Sequence, residues 1–246
     1  MVDGTGLENR RAATYRGFES HSLRQENNYG GNNDKEVSLC IMGLGWVFST
    51  DIRVTHGCLF ENVCGVQCAS PPPEEIAKHV FGQYEGVARL GVKEDDVEDF
   101  YLKYRRRVAE GFAATPLYEG AREVLDYLKN TSEMFIVTSS PRKVMTGAIE
   151  YHGLGNYFRE IVTGDEVSAW KPDPEGVNYL LEKHGFGRDE AVIIGDSKSD
   201  LGVARNAGID SVLVFPDDHV LFYDQESLIR EYAPTYVVKS LSELIR

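Results

Sequence analysis

The sequence predicts an α/β protein whose core is a parallel sheet covered by helices, and three observations carry that expectation. From Pro116 onward, short apolar runs alternate with segments of helical period. The segments of helical period close on glycine, at Gly153, Gly185 and Gly208. Polar residues follow directly on two of the apolar runs, Thr138 after Val137 and Asp196 after Ile194 and Gly195. Strands alternating with helices form parallel βαβ units, and ligands of such sheets bind beyond the carboxyl ends of the strands.

Taken in order, residues 1–34 are polar and end in a Gly- and Asn-rich run with no sustained period, which reads as a disordered tail. Residues 37–48 carry Val37, Leu39, Ile41, Leu44, Val47 and Phe48, a buried strand interrupted by Gly43 and Gly45. Pro71-Pro72-Pro73 punctuates the chain, and residues 74–110 keep apolar spacings of three and four from Ile76 to Tyr104, predicting two helices joined near Gly91. Beyond Pro116 the expected helices are 119–129, 143–152, 174–184 and 201–207. The expected strands are 134–137, 161–162, 191–194 and 211–215.

Composition bounds the function. In 246 residues, 42% hydrophobic and 26% charged, there is no apolar run long enough to span a bilayer and no signal-peptide pattern, so a cytoplasmic location is the default expectation. A net charge of −13 opposes binding to nucleic acid or to an anionic membrane through the general surface. A small anionic ligand is still admissible, because it responds to the local field of a pocket. Cys40, Cys58, Cys64 and Cys68 have no common zinc spacing and read as reduced, unpaired thiols. Oligomeric state is left open.

The candidate chemistry lies after the strands. Gly195 allows a sharp turn, and Asp200 follows Asp196 by four residues, so two carboxylates can face one place; hard oxygen ligands of this kind suit Mg²⁺. Each segment also has an ordinary reading. Residues 195–200 could be a turn with a helix cap, residues 138–141 a helix start, and Lys171-Pro172 a solvated loop.

Their order and spacing change the odds. Pro116-Leu117-Tyr118-Glu119-Gly120, Thr138, Gly164-Asp165, Lys171-Pro172-Asp173-Pro174 and Gly195-Asp196 with Asp200 together resemble the haloacid dehalogenase superfamily, in its phosphoglycolate-phosphatase-like branch. The resemblance spans roughly residues 116–215. It implies a Rossmann-like core, residues 35–51 and 116–246, with a small helical cap inserted after the first strand, residues 52–115. It also implies a Mg²⁺-dependent hydrolase of a small phosphorylated metabolite, working through an aspartyl-phosphate. By the same resemblance Thr138 and Ser139 bind phosphate, Lys171 stabilises both nucleophile and phosphate, Asp196 holds the metal, and Asp200 binds or orients it.

The first motif departs from the family. Aligned on it, Gly43 falls at the nucleophile and Gly45 at the general acid/base, and neither has a side chain. Asp51 lies beyond the expected strand end and does not take the nucleophile's role. Two readings account for this. One is a non-catalytic protein that keeps a phosphate- or metal-binding pocket, or serves as a scaffold. The other is a local frame difference: a GGA glycine codon before a Trp or Leu codon, read one base later, begins GAT or GAC, so residues 43–46 could conceal Asp-x-Asp-Gly. That reading also covers the cysteines and the missing helical period through residue 70. Gly17-Phe18-Glu19-Ser20 similarly matches one frame of a transfer-RNA arm, which would place the natural start near Asp34. Dehalogenation needs the same missing nucleophile and no metal carboxylates, so it gains little support.

Overall fold

The computed structural model describes residues 14–15, 34–35, 38–43, 87–89, 91–112, 115–221 and 223–245. Six parallel strands form one sheet: β1 (Leu39–Met42), β2 (Glu133–Val137), β3 (Glu160–Val162), β4 (Ala191–Gly195), β5 (Asp210–Val214) and β6 (Tyr236–Val238). Their order across the sheet is β3-β2-β1-β4-β5-β6, which is the Rossmann order. The helices are α1 (Val97–Phe112), α2 (Ala121–Thr131), α3 (Arg142–Tyr151), α4 (Glu175–His184), α5 (Lys198–Ala207) and α6 (Gln225–Tyr232). A separate two-residue parallel ladder pairs Thr14–Tyr15 with Asp34–Lys35, within and next to the segment expected to be a tail.

Alternation along the central strand sorts the core into two layers. Cys40 and Met42 point to one face, where they meet Met134, Ile136, Val192 and Ile194 under Val124, Leu125 and Leu128 of α2 and Met145 and Ala148 of α3. Leu39 and Ile41 point to the other, with Phe135 and Ile193 under Val177 and Leu180 of α4 and Val203 and Ala207 of α5. All four β1 residues are fully buried, and burying each large side chain contributes about 1.5–3 kcal/mol. Burial also pushes the Cys40 thiol up to about 12, against a lowering hydrogen bond from Ser132, so this free cysteine is an unreactive core residue. Cys58, Cys64 and Cys68 lie outside the described residues.

The parallel sheet, its strands and its glycine-closed helices are as the sequence predicts. The turn at Gly91 adopts φ +88°, and of the two helices expected over 74–110 the second is described from residue 97, after a 3₁₀ turn at Glu94–Asp96. One boundary differs with consequence: α5 begins at Lys198, not at 201, because the Ser197 side chain accepts the Asp200 backbone N–H and caps the helix three residues earlier. Beyond residue 215 the structure adds α6, β6 and 3₁₀ turns at Asp217–Leu221 and Leu241–Ile245.

Edge strand β3 is tied to α4 through one carboxylate. Glu160 accepts hydrogen bonds from Lys183 Nζ (2.8 Å), His184 Nε2 (2.8 Å) and Tyr179 Oη (3.0 Å). Burial alone would raise its pKa, but these three donors outweigh burial and hold it at about 2. A depressed carboxylate stabilises the fold above its unfolded pKa of 4.5, and that contribution disappears as pH falls towards 2. Glu160→Gln should therefore lower unfolding free energy by about 1–2 kcal/mol at pH 7 after allowance for solvent screening, and by almost nothing near pH 2. Urea titrations at both pH values test this; an equal deficit at both would remove the electrostatic tie.

Candidate functional site

Strand order places the site. β1 to β3 run outward in one direction and β4 to β6 in the other, so the switch falls between β1 and β4, and their carboxyl ends leave a crevice. Met42 pairs with Ile136 of β2 and Ile194 of β4, which brings Gly43 level with Val137 and Gly195; the Gly43 N–H donates to the Ile194 carbonyl at 2.8 Å. Thr138 and Asp196 therefore leave the sheet on either side of Gly43.

Four of the residues singled out in the sequence converge there. Lys171 Nζ donates to Asp200 Oδ1 at 2.6 Å, and both side chains are buried, 10% and 3% exposed. Asp200 Oδ2 accepts from Ser197 Oγ at 2.6 Å. Asp196 is buried beside this pair, and burial first, with the Asp200 charge adding, pushes its carboxyl up to about 7 while Lys171 opposes the shift. On the other side Thr138 is buried, with its Oγ1 accepting the Ser140 N–H at 3.1 Å, and the exposed Ser139 follows it. Thr138, Ser139 and Lys171 line one cleft. Gly45 and Asp51 lie outside the described residues.

Gly43 is where the structure says most. A β-carbon built on it would stand 2.6 Å from Asp200 Cγ and 2.8 Å from Asp200 Oδ2. The Asp200 carboxylate thus fills the space that any side chain at 43 would need. Gly195 faces the same group, its built β-carbon 2.6 Å from Asp200 Cγ, so this glycine is required by close approach as well as by the turn expected from the sequence. The earlier start of α5 explains the position: Asp200 belongs to the first helical turn and points back over both strand ends.

Lys171 is delivered by a braced loop. Pro172 lies against α5, where a β-carbon at Gly202 would stand 2.7 Å from Pro172 Cβ, and Asn206 Nδ2 donates to the Pro172 carbonyl at 2.9 Å. The Lys171-Pro172 peptide is cis. Neither Gly202 nor Asn206 is marked in the sequence by anything but its helix.

Sequence reasoning also passed over His219. It is buried after the end of β5, with Nε2 3.2 Å from Tyr118 Oη and 3.9 Å from Asp196 Oδ2. It lies four residues beyond Phe215, after Pro216-Asp217-Asp218, so the rule that selected Thr138 and Asp196 does not reach it. Tyr223 stands close by; burial, then the charges of Asp196 and Asp200, drive its hydroxyl pKa upward.

No group of three or more His, Cys, Asp or Glu side chains gathers as a ready metal cage among the described residues. The donor set nevertheless fits Mg²⁺, which takes one or two carboxylates and keeps its waters. The raised pKa of Asp196, buried beside a second carboxylate, is the imbalance that a cation there would relieve.

Comparison with known proteins agrees with this geometry. Residues 53–214 match the haloacid dehalogenase-like hydrolase family, a stretch that begins downstream of β1 and of both glycines. Phosphoglycolate phosphatase from Vibrio parahaemolyticus is 33% identical over 149 residues, which are 60% of this chain and 60% of that protein. The chain thus matches less than two thirds of that relative's length. A haloacid dehalogenase-like family hydrolase from Streptococcus pneumoniae superposes with a TM-score of 0.69 at 19% identity, over 85% of this chain and 96% of that one. A HAD-hydrolase from Bacillus subtilis, bound to magnesium, superposes with a TM-score of 0.59 at 20% identity, over 84% and 96%.

Proposed function

The chain belongs to the haloacid dehalogenase-like hydrolase family, and from that premise we propose that its crevice binds a small phosphate monoester but turns it over slowly or not at all. Thr138, Ser139 and Lys171 would hold the phosphoryl oxygens, and Asp196 and Asp200 would hold Mg²⁺. The magnesium in the Bacillus subtilis hydrolase and the phosphoglycolate phosphatase relative support a metal-assisted phosphatase lineage acting on small phosphorylated metabolites. Mg²⁺, when bound, would offset the charge between carboxylates and phosphate. A location in the cytoplasm and a helical cap over residues 52–115 belong to the same proposal.

One observation carries the loss of turnover. Gly43 offers no carboxylate at the end of β1, and Asp200 occupies the space where one would begin. Asp200 is itself no substitute, because Lys171 and Ser197 engage its two oxygens deep against the strand ends. Without a nucleophile there is no aspartyl-phosphate, and without a general acid at 45 the leaving alcohol departs unprotonated.

The test is Mg²⁺-dependent phosphate release from a generic aryl phosphate, set beside equilibrium binding of inorganic phosphate. Binding without release is expected; turnover like that of an intact relative would reject the reading. The scaffold alternative is favoured by the Lys171–Asp200 pair, in which the lysine already has a charge partner. It expects no phosphate binding at all. Sequencing the coding DNA over codons 37–70 bears on the frame: if Gly43 and Gly45 are not encoded by GGA, the concealed Asp-x-Asp is rejected.

A further inference from the structure

We infer that Trp170 selects the alcohol part of the ester, making this a site for phosphate monoesters of planar aromatic alcohols. The inference rests on the phosphate pocket just proposed. Six large apolar side chains stand exposed among the described residues, and of these Trp170 alone lines the cleft that holds Thr138, Ser139 and Lys171; its side chain is next in sequence to Lys171 and 57% exposed. Within this cleft Thr138 is buried whereas Trp170 is exposed, so the cleft opens to solvent on the indole side. A phosphoryl group seated on Thr138 and Lys171 therefore leaves its ester substituent at the rim, where the indole is.

The loop that carries the indole is braced through its backbone. The Ser168 and Ala169 backbone N–H groups donate to the Glu175 carboxylate at 2.8–3.0 Å, and the Trp170 carbonyl accepts the Asp173 N–H at 2.9 Å. A ring on a braced loop loses little freedom when a ligand ring stacks on it. The opposite preference is disfavoured by charge: Asp173 lines the same cleft and Asp165 is exposed nearby, so a substituent bearing its own carboxylate meets like charge. An uncharged aromatic substituent carries no such charge and can stack on the indole.

Calorimetric titration in Mg²⁺ with phenyl phosphate, 2-phosphoglycolate and inorganic phosphate tests the assignment. Phenyl phosphate should bind about tenfold more tightly than inorganic phosphate, the scale of one aromatic pair, and 2-phosphoglycolate no more tightly. Trp170→Ala should bring the ratio of phenyl phosphate to inorganic phosphate affinity close to one, and Trp170→Phe should keep most of it. Equal affinities in the unsubstituted protein, or a ratio that survives Trp170→Ala, would overturn the assignment while leaving the phosphate pocket intact. Absence of inorganic phosphate binding would overturn the pocket and the assignment together.

Discussion

A protein carrying Gly43→Asp and Gly45→Asp together is expected to release phosphate from an aryl phosphate in Mg²⁺, at least about 10²-fold faster than the unsubstituted chain, since positioned acid/base catalysis alone is worth about 10²–10⁴. The same protein should be less stable without the cation. A β-carbon at 43 lies 2.6 Å from Asp200 Cγ, so the new side chain must drive Asp200 from its place on Lys171. The loss should be about 1–3 kcal/mol from overpacking, and like charge beside Asp196 and Asp200 adds to it. Mg²⁺ should then raise the melting temperature of the double variant more than that of the parent, because binding to the folded state alone stabilises by mass action. Thermal unfolding with and without Mg²⁺ reads this independently of turnover. Stability recovered by Mg²⁺ with no phosphate release would move the case to the non-catalytic reading.

Lys171→Met is expected to be the most damaging single change in the crevice, destabilising the fold by about 3–5 kcal/mol near pH 8, because it strands a buried carboxylate. Asp200 is 3% exposed and Asp196 lies beside it, so removing the Lys171 ammonium leaves two neighbouring negative groups without it. The sign with pH follows. Protonation relieves the repulsion, and loss of Lys171, which opposes the upward shift of Asp196, makes protonation easier still, so the deficit should shrink as pH falls. Combining Lys171→Met with Asp200→Asn should restore much of the loss, and a double-mutant cycle at pH 8 and pH 5 measures the coupling. A deficit independent of pH and of residue 200 would mean that Lys171 acts through its methylene packing instead. Phosphate binding should be lost in both variants that lack the lysine.

The two halves of the crevice were not equally legible. Thr138 and Asp196 stand out because a continuous apolar run ends at Val137 and at Ile194, just before them, and parallel sheets bind ligands at that end. Lys171 is visible only through its spacing from them, since a lysine before a proline is otherwise an ordinary loop residue. Asp200 was named, but not its position: the cap at Ser197 moves the start of α5 and turns the carboxylate onto Gly43, a contact between residues far apart in the chain. His219 and the Gly202–Pro172 approach are tertiary in the same way, and no local pattern announces them. β6, three residues long like β3, lies beyond the stretch 116–215 over which the alternation of strands and helices was read.

The central place of β1 has a consequence for how the chain is made. Leu39–Met42 is among the first core segments to leave the ribosome, yet one of its flanking strands begins at Ala191. At about 5–20 residues per second, the strand waits on the order of ten seconds with an unpaired apolar edge before its second neighbour exists. Ordered assembly therefore depends on residues 39–42 staying unpaired or shielded during synthesis, and a chain truncated after Met1 to beyond Met42 would present β2 and β4 as two bare edges.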